Sequence, residues 1–344
     1  MSTPTEPFEA GAERPTREVL RASFRVDVSE AVPIDEELEI AGGLIAPAGV
    51  SSPLGILVCL PGGFLSRKYF DLDVAGDRSY SFAEAMSRRG FLTLAFDHLG
   101  IGESDRPKAA EDGFRLGVEA IARANQFALE SALERLAAGT LIPELDPIMP
   151  GITLGVGHSM GSALTVEQQA AAKPHAGLIL FSFTTRGTPA FLNDDQRSYA
   201  HQPERARRDL GEIARRTFGG SPYPPSASDS ESGRRAAFGV GTAPQEAEEA
   251  LHQASTSLLG LGGLLSMIPG GYAPAAEKID VPTLVVVGDH DLHNTEGLRE
   301  ELPLCPDFSA MTLDDSWHCH FVSNRRSVLW DRVGDWASDH FQPQ

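Results

Sequence analysis

Cysteine is scarce in this sequence, and long apolar runs are absent. The three cysteines among the 344 residues, Cys59, Cys305 and Cys319, are too few and too scattered for a disulfide framework or a thiolate metal cage. No apolar run is long enough to span a bilayer, and residues 1–21 lack the basic start and apolar core of a secretory signal. We therefore expect a cytoplasmic protein with no membrane segment.

Basic residues are also in short supply. Lysine and arginine total 29 against 48 aspartates and glutamates, which gives a formal net charge of −19. Nucleic acids and anionic membranes are bound by clustered basic side chains. Five arginines do cluster, at Arg205, Arg207, Arg208, Arg215 and Arg216. They alternate with acids on a helix-like stretch, which is typical of a solvated face, so we expect neither nucleic acid nor a membrane as partner.

Short apolar runs alternate with helix-like stretches along the chain. The runs cover residues 55–60, 91–96, 152–156, 178–183, 283–287 and 310–313. The helix-like stretches cover residues 81–89, 117–138, 162–172 and 327–338. This alternation predicts an α/β protein with a mostly parallel sheet and helices on both faces. Residues 23–46, where charged and apolar residues alternate around Pro33, predict an antiparallel edge pair ahead of the parallel part.

The alternation stops between Thr184 and Glu277. Within this segment residues 193–218 and 244–259 look helical, and residues 219–232 are rich in Ser, Pro and Gly. The segment follows a predicted parallel strand, so it emerges where ligands bind in open α/β folds. We interpret it as a mainly helical cap over a site. Its apolar, Gly-rich stretch 258–271 either lines an acyl pocket or lets the cap pack closely.

These patterns predict a division of the chain into four parts. They are a polar N-terminal tail (1–22), the first part of the core (23–183), the cap (184–277) and the C-terminal part of the core (278–344).

The pentapeptide Gly157-His158-Ser159-Met160-Gly161 lies between an apolar run and an Ala-rich helical stretch. A strand-to-helix turn of this kind is so tight that a side chain beside the serine would clash, so glycines flank it. The turn would lift the Ser159 hydroxyl above the sheet edge and leave the N–H of Met160 free to bind an oxyanion. Ser159 is therefore the predicted nucleophile.

Together with two further motifs, this turn resembles the α/β-hydrolase superfamily in its esterase, lipase and lactonase-like branches. The run Leu60-Pro61-Gly62-Gly63-Phe64 has Pro61 where members commonly carry histidine, and residues 97–104 are similar to a turn that is structural in the family. The resemblance implies the α/β-hydrolase fold with a triad in the order Ser, acid, His. It also implies a second oxyanion donor, at the N–H of Gly63 or Phe64.

The resemblance also indicates the acid and the base. The family spacing after Gly288 selects Asp291, with Asp289 as the alternative. The base follows the last predicted strand, where His318 fits the family turn and His320 is the alternative. Trp317 departs from the pattern, because glycine is usual there. A His-Cys-His zinc site would lack its third and fourth ligands nearby, so we expect neither a metal nor a cofactor.

The implied activity is two-step acyl transfer on a small-molecule ester, lactone or thioester. Two alternatives stay open. A lyase or C–C bond hydrolase would use the same triad on a different substrate. A non-catalytic ligand-binding protein of this fold would usually have lost a triad member.

Overall fold

An eight-stranded sheet organises the computed structural model, which describes residues 18–143, 145–225 and 243–341. Its strands are β1 (Val19–Asp27), β2 (Glu39–Pro47), β3 (Ile56–Leu60), β4 (Leu92–Phe96), β5 (Thr153–His158), β6 (Gly177–Phe181), β7 (Thr283–Gly288) and β8 (Phe308–Leu313). Their order in the sheet is β1-β2-β4-β3-β5-β6-β7-β8. The six neighbouring strands β4-β3-β5-β6-β7-β8 are parallel to one another, whereas β2 is antiparallel to both of its neighbours, β1 and β4. The predicted mostly parallel sheet is confirmed.

Helices connect the strands. They are α1 (Phe82–Ser87), α2 (Ala110–Gly113), α3 (Val118–Ala137), α4 (Met160–Ala172), α5 (Asp194–Arg197), α6 (Pro203–Phe218), α7 (Gln245–Gln253), α8 (Gly260–Met267), α9 (Ala273–Ala276), α10 (Leu298–Glu301) and α11 (Arg326–His340). Within the described ranges, no helix has both the length and the hydropathy that crossing a bilayer requires.

Strand β3 shows why both faces of the sheet are covered. All five of its side chains are buried. Because successive side chains point to opposite faces, Val58 and Leu60 pack in one apolar cluster with α3 and α4. Leu57 and Cys59 pack in a second cluster with α1 and α11. A strand that is apolar on both sides is stable only when helices cover both faces.

The antiparallel edge pair is confirmed, but it begins earlier than predicted. β1 starts at Val19, which pairs with Pro47, so the first four residues of the strand fall in the predicted tail 1–22. The charge-rich sequence concealed this start, because β1 is an edge strand and alternate side chains stay exposed. Pro33 lies in the connection between β1 and β2, where its missing N–H breaks no ladder. Residues 1–17 of the predicted tail lie outside the described residues.

Helices α5 to α9 lie in the segment between β6 and β7, which agrees with an inserted, mainly helical cap. The predicted helix over 193–218 is divided into α5 and α6 at Pro203, because a proline ring clashes with the preceding turn inside a helix. The predicted helix over 244–259 ends at Gln253, because Ser255 pairs with Leu65 in an isolated bridge. Most of residues 219–232 lies outside the described residues, and the cap boundaries at 184 and 277 stay a prediction.

A buried ion pair joins the loops that follow β3 and β4. The Asp97 carboxylate accepts hydrogen bonds from the backbone N–H of Arg67 at 2.6 Å and from its guanidinium at 2.5 Å. It also accepts one from the N–H of Glu103 at 2.9 Å. The Asp97 side chain is fully buried and that of Arg67 is 7% exposed. The turn at residues 97–104 thus fixes the loop that carries Gly63 and Phe64.

We predict that Arg67→Met lowers the free energy of unfolding by about 3–5 kcal/mol, because it leaves the Asp97 charge buried without its partner. Lys173→Met is the matched control. It breaks the ion pair with Asp280, in which the lysine side chain is 60% exposed, so the loss should stay below about 1 kcal/mol. Guanidinium unfolding measures both. Equal losses in the two variants would contradict a special role for the buried pair.

Candidate active site

A tight turn between β5 and α4 holds Ser159. Its backbone has φ 53° and ψ −121°, a conformation that residues other than glycine rarely adopt. A Cβ atom on Gly157 would lie 2.3 Å from Cα of Ser162, and one on Gly161 would lie 2.1 Å from the carbonyl oxygen of Leu60. Both positions therefore require glycine. The turn leaves Ser159 at the carboxyl end of β5, next to the N-terminus of α4.

His318, in the loop after β8, lies between Ser159 and Asp291. Its Nε2 atom is 2.9 Å from Oγ of Ser159, and its Nδ1 atom is 2.7 Å from Oδ1 of Asp291. In the neutral tautomer that fits both contacts, the serine hydroxyl donates to Nε2 and the Nδ1–H donates to the carboxylate. The three residues thus form one continuous hydrogen-bonded path.

Asp291, just after β7, has its carboxylate fully buried. Oδ1 accepts from the backbone N–H of Leu292 at 2.6 Å, and Oδ2 accepts from the hydroxyl of Ser182. Nε2 of His320 lies 3.3 Å from Oδ2. Burial alone would raise the pKa of Asp291. The pKa is nevertheless held well below its usual range by the charge and the hydrogen bond of His318 and by the contact with His320. Asp291 is therefore ionised at neutral pH.

Asp289 occupies a different place from Asp291, although only one residue separates them. Its carboxylate accepts the backbone N–H groups of Asp315 at 3.0 Å and of Ser316 at 2.9 Å. These bonds fasten the end of β7 to the loop that leads to His318. The contacts of Asp289 are thus with the backbone of that loop, whereas Asp291 contacts the His318 ring.

Two further histidines pack around this path. His320 is fully buried and begins a short 3-10 helix. His158, also buried, donates from Nε2 to the backbone carbonyl of His318 at 2.8 Å. Burial holds the His158 pKa well below its usual value, so this ring is neutral. The contact fixes the loop that carries His318. The sequence pattern indicates no role for His158, although this residue directly precedes the predicted nucleophile.

The predicted oxyanion donors lie around the same turn. Met160 is the first residue of α4, so its N–H has no partner within the helix. Gly63 and Phe64 lie on the wall of the cavity that contains Ser159. No described residue accepts a backbone hydrogen bond from the N–H of either one. The Phe64 carbonyl accepts from the N–H of Thr256 at 2.8 Å, which ties this loop to the cap.

Pro61, which stands where the family commonly has histidine, is held by another histidine. His98 donates from Nε2 to the Pro61 carbonyl at 3.0 Å, and its Nδ1 atom accepts from the side-chain amide of Asn125 at 3.0 Å. Burial lowers the His98 pKa, so the ring keeps this neutral arrangement. His98 belongs to the predicted structural turn. Its contact with the loop after β3 was not foreseen.

A model of the alpha/beta hydrolase family matches residues 57–329, which is most of the chain. The chain belongs to this family. The matched region of this α/β-hydrolase contains the Ser159 turn, Asp291 and His318. A comparison with curated proteins finds no matching sequence.

Solved structures of the same fold include three that differ widely in source. A peroxisomal α/β-hydrolase of Saccharomyces cerevisiae has a TM-score of 0.57 at 12% identity, with 96% of this chain and 91% of that chain covered. An esterase of Exiguobacterium antarcticum has a TM-score of 0.56 at 14% identity, with 89% of this chain and 98% of that chain covered. A bromoperoxidase of Bacillus anthracis has a TM-score of 0.51 at 15% identity, with 92% of this chain and 100% of that chain covered. At these identities the likeness concerns the fold.

A cavity of about 410 Å³ opens beside Ser159 and His318 in this α/β-hydrolase. Most of its wall is apolar, with Phe218, Leu258 and Met267 contributed by the cap. Of the described residues that line it, none is Lys, Arg, Asp or Glu. The cavity therefore suits an uncharged ligand with apolar parts.

The Gly-rich stretch 258–271 contributes to the cavity wall and also packs closely against the core, while an acyl pocket stays a prediction. Leu258, Ser266 and Met267 line the cavity. Gly262 in α8 faces Met160, where an added Cβ atom would lie 3.2 Å from the methionine sulfur. The glycine therefore lets α8 approach the start of α4 closely.

Cys319 lines the cavity beside His318, yet its thiol is unsuited to compete as a nucleophile. Cys319, Cys59 and Cys305 are all buried, and burial raises the thiol pKa of Cys59 and Cys319. The thiolate is the reactive form. In the described part of the chain, no three metal-ligating side chains are grouped to hold a metal ion.

We predict that iodoacetamide at pH 8 leaves all three cysteines of the folded protein unmodified, because their thiols are buried and Cys59 and Cys319 stay protonated. Intact-mass spectrometry measures the modification. The same protein unfolded in guanidinium is the control and should gain three adducts. Rapid modification of Cys319 in the folded protein would mean that a reactive thiol lies in the cavity.

Proposed function

We propose that this α/β-hydrolase cleaves a carboxylic ester, lactone or thioester through an acyl-enzyme on Ser159. The observation that carries the proposal is the hydrogen-bonded path from Ser159 through His318 to Asp291, with separations of 2.9 and 2.7 Å at a cavity wall. A serine, a base and an orienting carboxylate in this geometry perform nucleophilic acyl transfer on several unrelated folds.

In the first step, Oγ of Ser159 attacks the substrate carbonyl while Nε2 of His318 takes its proton. The resulting imidazolium is stabilised by Asp291, which stays ionised. The negative charge on the carbonyl oxygen is bound by the N–H of Met160 and by one from the loop after β3, at Gly63 or Phe64. Donors held in place before the reaction lower the barrier without reorganisation.

The first tetrahedral intermediate then collapses: the bond from the acyl carbon to the leaving oxygen or sulfur breaks, His318 gives its proton to that atom, and the acyl group stays on Ser159. The ring then takes a proton from a water molecule, and the resulting hydroxide attacks the acyl carbon. The second tetrahedral intermediate collapses as the bond to Oγ of Ser159 breaks and His318 returns its proton to that oxygen, which releases the acid and regenerates Ser159 and the neutral ring. These steps use only groups of the chain and water.

The neighbours of the triad take supporting roles in this proposal. Asp289 fastens the loop that leads to His318 through its bonds to Asp315 and Ser316. His320 contacts the oxygen of Asp291 that His318 leaves free. Its ring is fully buried, which keeps it away from the cavity. His318 is therefore preferred to His320 as the base.

Two observations favour an ester-type substrate. The cavity wall carries no charged residue among those described, which favours an uncharged carbonyl compound over a carboxylate or phosphate. A structural neighbour from Exiguobacterium antarcticum is described as an esterase. No observation specifically favours C–C bond cleavage.

We expect a fluorophosphonate probe to label the parent protein at Ser159, because among the described hydroxyls of the cavity wall only this one is hydrogen-bonded to a histidine ring. Ser159→Ala should abolish labelling and lower the hydrolysis of p-nitrophenyl esters at least about 10,000-fold. Gel fluorescence and initial rates measure the two effects. Parent-like turnover by Ser159→Ala would rule out the acyl-enzyme mechanism.

The two aspartates provide a matched pair of variants. Asp291→Asn should lower kcat about 10,000-fold, because an amide cannot hold the His318 tautomer or stabilise the imidazolium. Asp289→Asn should keep kcat within about 10-fold, because its oxygen still accepts one loop N–H. Steady-state kinetics on one ester decides between them. The reverse ranking would make Asp289 the acid.

A further inference from the structure

We infer that His293 is a specificity-determining residue that hydrogen-bonds an uncharged oxygen of the substrate, a hydroxyl or keto group, outside the reacting ester carbonyl. The inference rests on the proposed hydrolase function and adds a substrate class to it. The preferred substrates would be neutral esters that carry an oxygen substituent on an otherwise apolar acyl or alcohol part.

The position of His293 places it at the same cavity as the reacting groups. His293 follows Asp291 by two residues in the loop after β7, and it lines the same cavity as Ser159 and His318. The loop is held at both ends. Asp291 accepts the N–H of Leu292, and Arg186 donates to the side chain and the backbone carbonyl of Asn294. His293 is thus presented to the cavity from a loop that is fastened on either side of it.

The ring of His293 differs from those of His98 and His158 in its hydrogen bonding. No hydrogen bond or ion pair joins its ring to any residue in the described ranges. The rings of His98 and His158, by contrast, each donate to a backbone carbonyl. A neutral imidazole offers one donor and one acceptor. On a mostly apolar cavity wall, an unpaired imidazole ring is stabilised when a ligand oxygen forms a hydrogen bond with it.

The other polar side chains of the described cavity wall are hydrogen-bonded or have their unpaired atoms buried. The hydroxyl of Ser182 donates to Asp291, that of Thr184 to Glu301, and those of Ser255 and Ser266 to backbone carbonyls. Oγ1 of Thr188 and Nδ1 of His158 have no partner either, but both atoms are buried. Beyond the triad, His293 is therefore the side chain of the described cavity wall that is best placed to select among substrates by hydrogen bonding.

Charge decides which kind of oxygen fits. Burial and the neighbouring His318 lower the pKa of His293 to about 4, so the ring is neutral at pH 7. A carboxylate or phosphate beside it would find no cation on the described cavity wall and would face the buried charge of Asp291. A hydroxyl or keto oxygen meets neither difficulty, since it is uncharged.

Matched substrate pairs test the inference at pH 7.5. Methyl 3-hydroxyhexanoate is compared with methyl hexanoate for the acyl side, and 2-hydroxyethyl hexanoate with propyl hexanoate for the alcohol side. In at least one pair we expect the parent protein to favour the oxygenated ester in kcat/KM by about 10-fold to 100-fold. His293→Leu should bring that ratio close to one, and His293→Gln should keep most of it because the amide also donates and accepts.

His290→Leu is the control, because His290 lies three residues away in sequence and its side chain is 52% exposed. It should leave the ratio as in the parent protein. The inference is overturned if the parent protein shows no preference in either substrate pair. It is also overturned if His293→Leu leaves both ratios of kcat/KM unchanged, even when this variant slows the hydrolysis of all four esters equally.

These failures are distinct from failure of the proposed function. If the parent protein hydrolyses none of the four esters and a fluorophosphonate does not label Ser159, the hydrolase proposal is wrong, and the inference about His293 is then wrong as well. If the esters are hydrolysed through Ser159 without a dependence of the ratios on His293, only the inference about His293 fails.

Discussion

The close approach of α4 to the end of β3 is the constraint on which the site depends. Gly161 lies so near the Leu60 carbonyl that no side chain fits between them. This approach forces Ser159 into its strained backbone conformation at the start of the helix. It also brings the N-terminus of α4 next to the loop that carries Gly63 and Phe64. One packing contact therefore positions both the hydroxyl and the proposed oxyanion donors.

A single buried charge organises the other half of the site. Asp291 receives hydrogen bonds from a backbone N–H, the Ser182 hydroxyl and His318, and His320 completes its surroundings. A buried carboxylate is tolerated only when its lone pairs are occupied in this way. The occupied oxygens in turn leave His318 one orientation, with Nε2 toward Ser159. The ring is therefore placed before any substrate arrives.

Much of this was predictable because it depends on local sequence. The apolar runs predict the parallel strands, and the glycines on either side of Ser159 predict the turn between strand and helix. The roles of Ser182, His158 and His98 were not predictable. Each contacts a partner that lies far away in the sequence, and strand order alone brings them together. The orientations of His318 and His320 likewise depend on the fold of their loop, since only Cys319 separates the two residues in the sequence.

In the mechanism that we propose, the turn presents the Ser159 hydroxyl between a base and two backbone donors. The most direct test is a crystal structure of the protein inactivated by a fluorophosphonate. We expect the phosphorus on Oγ of Ser159, with the phosphoryl oxygen about 2.7–3.1 Å from the backbone nitrogen of Met160 and from that of Gly63 or Phe64. Phosphorus on another residue, or a phosphoryl oxygen directed away from both donors, would contradict the claim.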